Sequence, residues 1–290
     1  MDYSGMDMRG KVCLVTGATN GIGRVTALEL AKLGAQVVIV ARSQERGQAV
    51  LDAIRNQTGN DSAEMLLADL SDQAQVRKLA ADFKARHDRL HVLINNAGVL
   101  NFRRRQTVNG LEMTMAVNHA AYYLLTHGLR DLIVASAPAR IINVASDAHY
   151  RGVIDFNNLQ SKGPYWGMRT YSNSKLMNVM YTYALARRTA GTGVSANVVH
   201  PGLVATGFAH NNGPLVSLGM RLIMAPISLT PEKGADTLIW LAASPEVEGV
   251  SGKYWYQRQA LRSLETSYDE AAQERLWQAT KELVGGDPAA

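Results

Sequence analysis

Short apolar runs alternate with longer amphipathic stretches along most of the chain. The short runs are rich in β-branched residues and carry few charges, which is typical of strands that are buried on both faces. They predict strands at Val12–Thr16, Gln36–Ala41, Glu64–Ala68, His91–Asn95, Arg140–Ala145 and Val194–Val199, and a short one near Lys253–Tyr256.

Between these strands, apolar residues recur at the spacing of one helix face. They predict helices at Ile22–Leu33, Gln44–Asn56, Asp72–His87, within Val108–Val134, at Arg169–Arg188, from Pro231 to about Ala243, and finally around Leu276 and Trp277. Ser71 is the expected N-cap of the third helix, because a serine hydroxyl accepts a hydrogen bond from a free helix amide.

Strands and helices that alternate in this way form a parallel sheet with helices on both faces. The predicted fold is α/β, a Rossmann-type doubly wound sheet of about seven strands. No linker or repeat divides residues 1–290, so we expect a single domain. Two irregular stretches, His149–Met168 and Leu203–Pro226, interrupt the alternation. Long loops of this kind often cover a binding site, and we expect a substrate lid at about 203–226.

The composition is that of an ordinary globular protein, with 47% hydrophobic and 19% charged residues. The single cysteine, Cys13, lies in an apolar run and is expected in the core, so no disulfide can form within the chain. The chain begins with polar residues, and no apolar run approaches the roughly 20 residues that cross a bilayer. These features predict a cytoplasmic location in a reducing compartment, without a membrane span.

The charge pattern narrows the classes of partner. The formal net charge is +5, which is too diffuse to indicate nucleic-acid binding. The basic run Arg103–Arg105 is interpreted as a solvated surface turn, and contact with an acidic substrate or an anionic membrane is the less favoured alternative. The seven histidines are scattered, and no paired cysteines accompany them, so no metal site is predicted.

A glycine-rich loop follows the first strand and opens the first helix. It reads Thr16-Gly17-Ala18-Thr19-Asn20-Gly21-Ile22-Gly23. A pyrophosphate bound at a helix N-terminus meets free amides and the positive end of the helix dipole, and glycines let the backbone approach it closely. The loop lies at the first strand-to-helix junction, where dinucleotides bind in folds of this class, and it therefore predicts a dinucleotide site.

The end of the second strand indicates which nicotinamide cofactor is used. An acidic residue at this position would bond the ribose 2′-hydroxyl of NAD, whereas a cation would hold the 2′-phosphate of NADP. The chain has Arg42 here and no acid, and a guanidinium binds phosphate in a bidentate manner. The sequence therefore predicts NADP(H) as the cofactor.

Tyr171 and Lys175 are four residues apart on a predicted helix, which places a phenol and an ammonium on the same face. A nearby cation favours the phenolate, so we expect Lys175 to lower the pKa of Tyr171. A tyrosine of this kind can protonate a carbonyl oxygen, or deprotonate an alcohol, while a hydride moves at the adjacent carbon.

Taken together, these motifs resemble the short-chain dehydrogenase/reductase family over nearly the whole chain. The glycine loop, the Asn95-Asn96-Ala97-Gly98 segment, Ser146, Tyr171 and Lys175 occur in the family's order and spacing. Ser146 stands alone where relatives often have two serines. Within the family the chain is most similar to the retinol dehydrogenase-like branch, through segments such as Arg140–His149, Tyr171–Asn178 and His200–Thr206.

The resemblance implies a role for each matching residue. Asn118, Ser146, Tyr171 and Lys175 would be catalytic, with Asn118 holding a relay water and Lys175 binding the nicotinamide ribose. Further cofactor contacts would come from Gly17, Thr19, Asn20, Gly21, Ile22, Gly23, Asp69, Leu70, Asn95, Ala97, Gly98, Pro201, Gly202, Val204 and Thr206. Asp69 and Leu70 would lie by the adenine, and the residues from Pro201 onward at the nicotinamide end.

The expected reaction is hydride transfer between NADP(H) and an alcohol, aldehyde or ketone. The apolar lid and a group of aromatic residues suggest a lipophilic substrate: Phe102, Tyr150, Phe156, Trp166 and Phe208. Two alternatives remain open, a nucleotide-dependent epimerase or dehydratase and a non-catalytic NADP sensor. Many members of the family pair through long helices, so the resemblance leaves a homodimer or homotetramer open.

Overall fold

A computed structural model describes residues 2–204, 212–213 and 228–286. Within these ranges the strands are β1 Val12–Thr16, β2 Gln36–Ala41, β3 Glu64–Leu67, β4 Val92–Asn95, β5 Ala139–Val144, β6 Val194–Val199, β7 Tyr254–Tyr256 and β8 Gln259–Leu261. They form an eight-stranded sheet in the order β3-β2-β1-β4-β5-β6-β7-β8. All neighbouring strands are parallel except β7 and β8, which are antiparallel.

The helices of the same ranges follow the strands in the predicted alternation. They are α1 Gly21–Lys32, α2 Gln44–Thr58, α3 Gln73–Arg86, α4 Met113–Met115, α5 Ala121–Gly128, α6 Arg130–Ala135, α7 Gly167–Arg188, α8 Pro231–Ala243 and α9 Glu270–Leu283. A π-helical turn, Ala116–Ala120, joins α4 to α5. Short 3-10 turns lie at Asp147–Arg151, Pro245–Val247 and Glu265–Tyr268.

The sheet separates two apolar cores, as a doubly wound fold requires. Successive strand residues point to opposite faces, so Leu14 packs in one core while its neighbours Cys13 and Val15 pack in the other. Helices α3, α5, α7 and α9 cover the first face, and α1, α2 and α8 cover the second. The predicted fold class is confirmed, and Cys13 is a buried core residue as expected.

Several local details differ from the sequence prediction. The strand β8 was not predicted, because its three residues are exposed and carry no apolar run. The N-cap of α3 is Asp72 rather than Ser71, since Asp72 Oδ1 accepts from the Ala74 amide at 2.9 Å. The Ser71 amide donates instead to Asp69 Oδ1.

The helical region predicted within Val108–Val134 is divided in the structure. It begins at Met113, passes through the π-helical turn, and breaks at Leu129 before α6. Asn118 lies in that turn, and its side chain bonds the backbone of Val99 on the loop after β4. An i→i+5 turn of this type is rare and often marks a functional site.

The order of the strands determines where a ligand can bind. Connections leave β1 toward β2 on one side and reach β4 on the other, so the chain changes direction between β1 and β4. The loops at the carboxyl ends of these parallel strands therefore face a common crevice, which is the usual binding position in an open α/β sheet.

Candidate active site

A cleft of about 930 Å³ lies at the carboxyl ends of the strands. The structure lines it with most of the predicted site residues: Gly17, Thr19, Asn20, Gly21, Ile22, Gly23, Arg42, Asp69, Leu70, Ala97, Gly98, Ser146, Tyr171, Lys175, Pro201, Gly202 and Val204. Asn95 and Asn118 are buried beside the cleft and do not line it. Thr206 lies outside the described residues.

The glycine loop, residues 16–23, has a backbone that side chains would obstruct. Gly17 has a φ of +64°, in the region that favours glycine. A Cβ on Gly23 would lie 2.4 Å from the Gly17 carbonyl oxygen. The Asn20 side chain caps α1 by accepting from the Gly21 amide at 2.8 Å. These contacts give the tight turn and exposed helix N-terminus that a pyrophosphate needs.

Asn96 is a residue for which the sequence analysis gave no role. Its Nδ2 donates to the Thr16 carbonyl at 2.8 Å and to the Gly17 carbonyl at 3.3 Å. Its backbone amide donates to Thr16 Oγ1 at 2.9 Å. Asn96 thus ties the loop after β4 to the glycine loop and fixes their separation. The available signal was a second asparagine directly after a buried strand.

Asn95 lies away from the cleft, although it was predicted to contact the cofactor. Its Nδ2 donates to Asn143 Oδ1 at 2.9 Å and to Thr126 Oγ1 at 3.1 Å. Asn143 in turn donates to Thr182 Oγ1 on α7. The side chain of Asn95 therefore connects β4 with β5 and with α5, which corresponds to the sheet-stabilising part of its predicted role.

The tip of β2 carries two arginines rather than one. Arg42 and Arg46 both line the cleft, and both side chains are exposed. Ser43 is the N-cap of α2 and accepts from the Arg46 amide, so the first helical turn brings Arg46 to the side of Arg42. Asp69 and Leu70, after β3, line the neighbouring wall. Arg46 could have been found from its spacing of four residues from Arg42.

Tyr171 and Lys175 lie together on α7, as their spacing predicts. The Lys175 Nζ is 5.6 Å from the centroid of the Tyr171 ring. It donates to the Val144 carbonyl at the end of β5, at 3.0 Å. A Cβ on Gly98 would lie 3.5 Å from this Nζ, so glycine keeps the cleft open at the ammonium. We call Val144, Ser146, Tyr171 and Lys175 the Tyr171–Lys175 corner.

The direction of the pKa shifts in this corner differs from the prediction. Burial raises the pKa of Tyr171 to about 12, a hydrogen bond with Ser146 opposes the rise, and the charge of Asp147 adds to it. Burial lowers the pKa of Lys175 to about 7. Desolvation therefore dominates both groups, and Lys175 does not produce the expected lowering of the pKa of Tyr171.

Ser146 forms the N-cap of the 3-10 turn that follows β5. Its Oγ accepts from the Ala148 amide at 3.2 Å and donates to Asp147 Oδ1 at 2.9 Å. Asp147 lines the cleft and was not identified from the sequence. Its amide donates to His200 Nδ1, which also accepts from the Gly202 amide, so His200 holds the loops after β5 and β6 together.

Both the oxygen and the nitrogen of the Asn118 side-chain amide form hydrogen bonds within the protein. Its Oδ1 accepts from the Val99 amide at 2.8 Å, and its Nδ2 donates to the Val99 carbonyl and to Ser174 Oγ, each at 3.0 Å. Ser174 Oγ donates to the Tyr171 carbonyl. Asn118 thus links the loop after β4 to α7 at the turn that carries Tyr171.

The loop after β6 brings Pro201, Gly202 and Val204 to the cleft. Gly202 has a φ of +84°, and a Cβ there would lie 2.5 Å from Leu229 Cδ1. Val204 and Leu229 form an isolated parallel bridge. Most of the predicted lid at about 203–226 lies outside the described residues, and so does Phe208.

The proposed aromatic substrate wall is only partly found at the cleft. Tyr150 and Met168 line it, whereas Phe102 and Trp166 line a neighbouring cavity of about 450 Å³ that shares Met168. Phe156 packs against the core and under Arg275, 4.3 Å from the guanidinium carbon to the ring centroid, and it does not line the cleft.

The cationic residues at the cleft are more numerous than predicted. Arg105, which was interpreted as part of a solvated turn, lines the cleft, as does Arg151. Arg104 instead donates to the Gln160 carbonyl. Across the described residues, no cluster of three His, Cys, Asp or Glu side chains could hold a metal ion. In the same part of the chain, no helix is both long enough and apolar enough to span a membrane.

Comparison with known proteins agrees with this geometry. The family model for short chain dehydrogenases matches residues 11–214. Mouse retinol dehydrogenase 14 is 39% identical, over 96% of this chain and 87% of its own length. Human retinol dehydrogenase 12 is 39% identical over 97% and 88%, and human polyprenol dehydrogenase 37% identical over 95% and 85%.

Solved structures with the same fold include one with a nicotinamide cofactor. A Pseudomonas aeruginosa RhlG/NADP active-site complex has a TM-score of 0.69 and 27% identity, and the match covers 86% of this chain and 94% of that one. An uncharacterised protein from Mycobacterium paratuberculosis has a TM-score of 0.78 at 24% identity, over 100% and 99% of the two chains, and supports the fold alone.

Proposed function

The chain belongs to the short-chain dehydrogenase family, in its retinol dehydrogenase-like branch, and from this premise we propose that it interconverts an alcohol and an aldehyde or ketone with NADP(H). The main observation that supports this proposal is that Ser146, Tyr171 and Lys175 line the same cleft as the glycine loop. An epimerase, a dehydratase or an NADP sensor remains the alternative.

The residues present fit a dinucleotide, because Gly17, Gly21 and Gly23 line the cleft at the N-terminus of α1 without side chains that would keep a pyrophosphate from the backbone. In our proposal the glycine loop holds the pyrophosphate, Asp69 and Leu70 lie at the adenine, and Lys175 bonds the nicotinamide ribose. Gly98, Pro201, Gly202 and Val204, which line the cleft, would lie at the nicotinamide end. When bound, the nicotinamide supplies or accepts the hydride at the substrate carbon.

Tyr171 is proposed as the general acid in the reductive direction. The substrate oxygen, where negative charge develops as the hydride arrives, would accept hydrogen bonds from Tyr171 and from Ser146, whose hydroxyl would turn to it from Asp147. A phenol with a pKa of about 12 is protonated at neutral pH, and it is a much stronger acid than an alcohol, whose acidity is close to that of water. Tyr171 can therefore protonate the new alkoxide without a lowered pKa.

Lys175 and Asn118 are proposed to support this proton transfer. The ammonium of Lys175 lies next to the Tyr171 ring, so its positive charge would stabilise the phenolate that remains after the transfer. Asn118 links the loop after β4 to α7 at the turn that carries Tyr171. Because both ends of its amide are bonded, we propose that a relay water would use the π-helical backbone rather than the Asn118 side chain.

The preference for NADP(H) over NAD(H) rests on the tip of β2. Arg42 and Arg46 line the cleft there, and a pair of guanidinium groups suits a 2′-phosphate. The substrate is proposed to be lipophilic, because relatives are named for retinol and polyprenol and because Tyr150, Met168 and Leu203 line the cleft. A cytoplasmic location, a single domain with a lid, and a dimer or tetramer stay predictions.

The proposal is tested with Tyr171→Phe, which removes only the phenolic hydroxyl. We expect this variant to bind NADPH as the wild type does and to lose turnover of a panel of long-chain and aromatic aldehydes and ketones by about 10²–10⁴-fold. The matched control is Tyr165→Phe, because the Tyr165 hydroxyl bonds Asn101 and Glu112 away from the corner.

Other outcomes would point to the alternatives. Undiminished turnover in Tyr171→Phe would contradict the role of Tyr171. Conversion of a nucleotide-linked substrate without net consumption of NADPH would indicate an epimerase or dehydratase. NADPH binding by a wild-type protein that reduces none of the panel would favour a sensor. A preference for small charged carbonyls would contradict the lipophilic substrate.

A further inference from the structure

A chain of buried side chains runs from the carbonyl that holds Lys175 to the C-terminal helix α9. The Val144 oxygen accepts from Lys175 Nζ at 3.0 Å and from Asn178 Nδ2 at 3.2 Å. Asn178 Oδ1 lies 3.2 Å from His119 Nδ1, and His119 Nε2 lies 2.9 Å from Thr280 Oγ1. All four of these side chains are buried. We call Asn178, His119 and Thr280 the buried relay.

Hydrogen-bonding rules give every link of the buried relay a direction. A carbonyl can only accept, so Asn178 presents its amide nitrogen to Val144 and its oxygen to His119. That oxygen requires a donor, so His119 carries its proton on Nδ1 and accepts at Nε2 from the Thr280 hydroxyl. Burial lowers the pKa of His119 to about 4, so this neutral tautomer persists at neutral pH.

We propose that Asn178, His119 and Thr280 are positioning residues for Lys175, so that the C-terminal helix supports the chemistry of the cleft. The inference rests on the role given to Lys175 in the proposed function. Asn178 fixes the Val144 carbonyl, and that carbonyl holds one of the three ammonium donors of Lys175. The remaining donors would then be available to a ligand in the cleft that Lys175 lines.

Packing between α9 and α7 supports this arrangement, because it fixes Thr280 against the relay. The Trp277 ring packs on Tyr181, with their ring centroids 5.4 Å apart. The Arg188 guanidinium lies over the same indole at 3.9 Å. Thr280 lies one helical turn beyond Leu276 and Trp277, on the side that faces His119. The relay is therefore shielded from bulk solvent, and its hydrogen bonds are stronger than they would be at an exposed site.

Two titratable groups act on Tyr171 from the surrounding elements. Tyr122 on α5 interacts with Tyr171, and its own hydroxyl donates to the Ala97 carbonyl at 2.9 Å. Asp147 on the 3-10 turn acts on Tyr171 by its charge. Neither Tyr122 nor Asp147 is part of the buried relay, so a change in the relay reaches the pH profile through Lys175.

The test compares variants of the whole enzyme by their pH profiles of kcat. Thr280→Val exchanges the hydroxyl for a methyl group of nearly the same size, and we expect it to lower kcat about threefold. Asn178→Ala should lower kcat about tenfold. Both variants should shift the same limb of the pH profile of kcat. The fold-loss of kcat in the double variant should be smaller than the product of the two single fold-losses.

The controls separate a positioning role from general destabilisation. Thr189→Val removes a buried hydroxyl near the end of α7 that donates to the Leu185 carbonyl, outside the relay, and it should leave the profile unchanged. Thr280→Ser retains the hydroxyl and should restore the wild-type profile. If Asn178→Ala does not fold, Thr280→Val and Thr280→Ser carry the test by themselves.

The inference fails if Thr280→Val has the wild-type pH profile of kcat, or if Thr189→Val shifts that profile as far as Thr280→Val does. These failures differ from a failure of the proposed function. An inactive Tyr171→Phe together with a wild-type Thr280→Val would overturn only the buried relay. An active Tyr171→Phe would overturn the proposed function, on which the inference depends.

Discussion

The glycine loop and the Tyr171–Lys175 corner line one cleft, but they are held in different ways. The glycine loop depends on backbone shape: a positive φ at Gly17, a missing side chain at Gly23, and one asparagine, Asn96, that bonds two carbonyls. The corner depends on buried polar side chains that are distant in sequence, with Lys175 and Asn178 sharing the Val144 carbonyl.

This difference affects how the glycine loop and the corner respond to substitution and to pH. The glycine loop tolerates almost no added atom, because its backbone lies close to other atoms, but it contains no titratable group. A buried ammonium tolerates changes in volume better, but its charge is costly to desolvate and its pKa falls to about 7. The predictions below separate these two kinds of support, from the largest expected effect to the smallest.

The largest effect is expected for Lys175→Met, which keeps most of the length of the side chain and removes its charge. Turnover should fall about 10²–10⁴-fold, because Tyr171 loses the neighbouring cation that stabilises its phenolate. Steady-state kinetics with NADPH and an aldehyde measure this. Lys162→Met, an exposed lysine outside the cleft, is the control and should keep the wild-type rate. If Lys175→Met lost only a little turnover, the proposed role of Lys175 beside Tyr171 would be contradicted.

Gly23→Ala should weaken NADPH binding about 100-fold. The added Cβ would lie 2.4 Å from the Gly17 carbonyl and from Asn96 Nδ2, so the loop must open or shift. Titration calorimetry or cofactor fluorescence gives the affinity. Gly59→Ala has no atom within 4 Å and strains only a helix C-cap, so it should cost about 1 kcal/mol of stability without changing affinity. Unchanged binding in Gly23→Ala would contradict the pyrophosphate site.

The buried ammonium should make stability depend on pH. The folded pKa of Lys175 is lowered from 10.5 to about 7, so between these values the unfolded chain binds more protons than the folded one. The free energy of unfolding must then rise with pH through this window, by about 2 kcal/mol between pH 7 and 9 relative to Lys175→Met. Urea unfolding at both pH values measures the difference, and parallel curves for the two proteins would contradict it.

The smallest effect is expected at the exposed tip of β2. Arg42→Ala should raise KM for NADPH about tenfold and leave KM for NADH unchanged, because only NADPH carries the 2′-phosphate. Arg46→Ala should act in the same direction, and the double variant should remove most of the preference. Arg86→Ala, at the end of α3 and away from the cleft, is the control. Equal effects on both cofactors would contradict this assignment.

The fold could be predicted from local patterns, because the spacing of apolar residues within each strand and helix reflects which of its positions are buried. The strands β1, β2 and β6 were predicted at their observed bounds, and α8 likewise. The eighth strand could not be predicted, since Gln259–Leu261 is exposed and has no apolar signal of its own. The π-helical turn that holds Asn118 is bonded to Val99 on another loop, and no local pattern contains that contact.

The site was predictable where a short motif acts through its own backbone or through one helical turn. The glycine loop and the pair Tyr171 and Lys175 belong to this class, and so does Arg42. Phe156 shows the limit, because an aromatic residue in an irregular stretch serves a core as readily as a substrate wall, and here it packs beside Arg275.

The sequence by itself determined the alternation of elements, the glycine turn and the spacing of the phenol and the ammonium, because these are properties of neighbouring residues. Only the tertiary structure decided the pKa shifts at Tyr171 and Lys175, the place of Asn96, and the relay that reaches Thr280. Desolvation and hydrogen bonding between distant segments depend on what the folded chain places around a group, and no local sequence pattern specifies those surroundings.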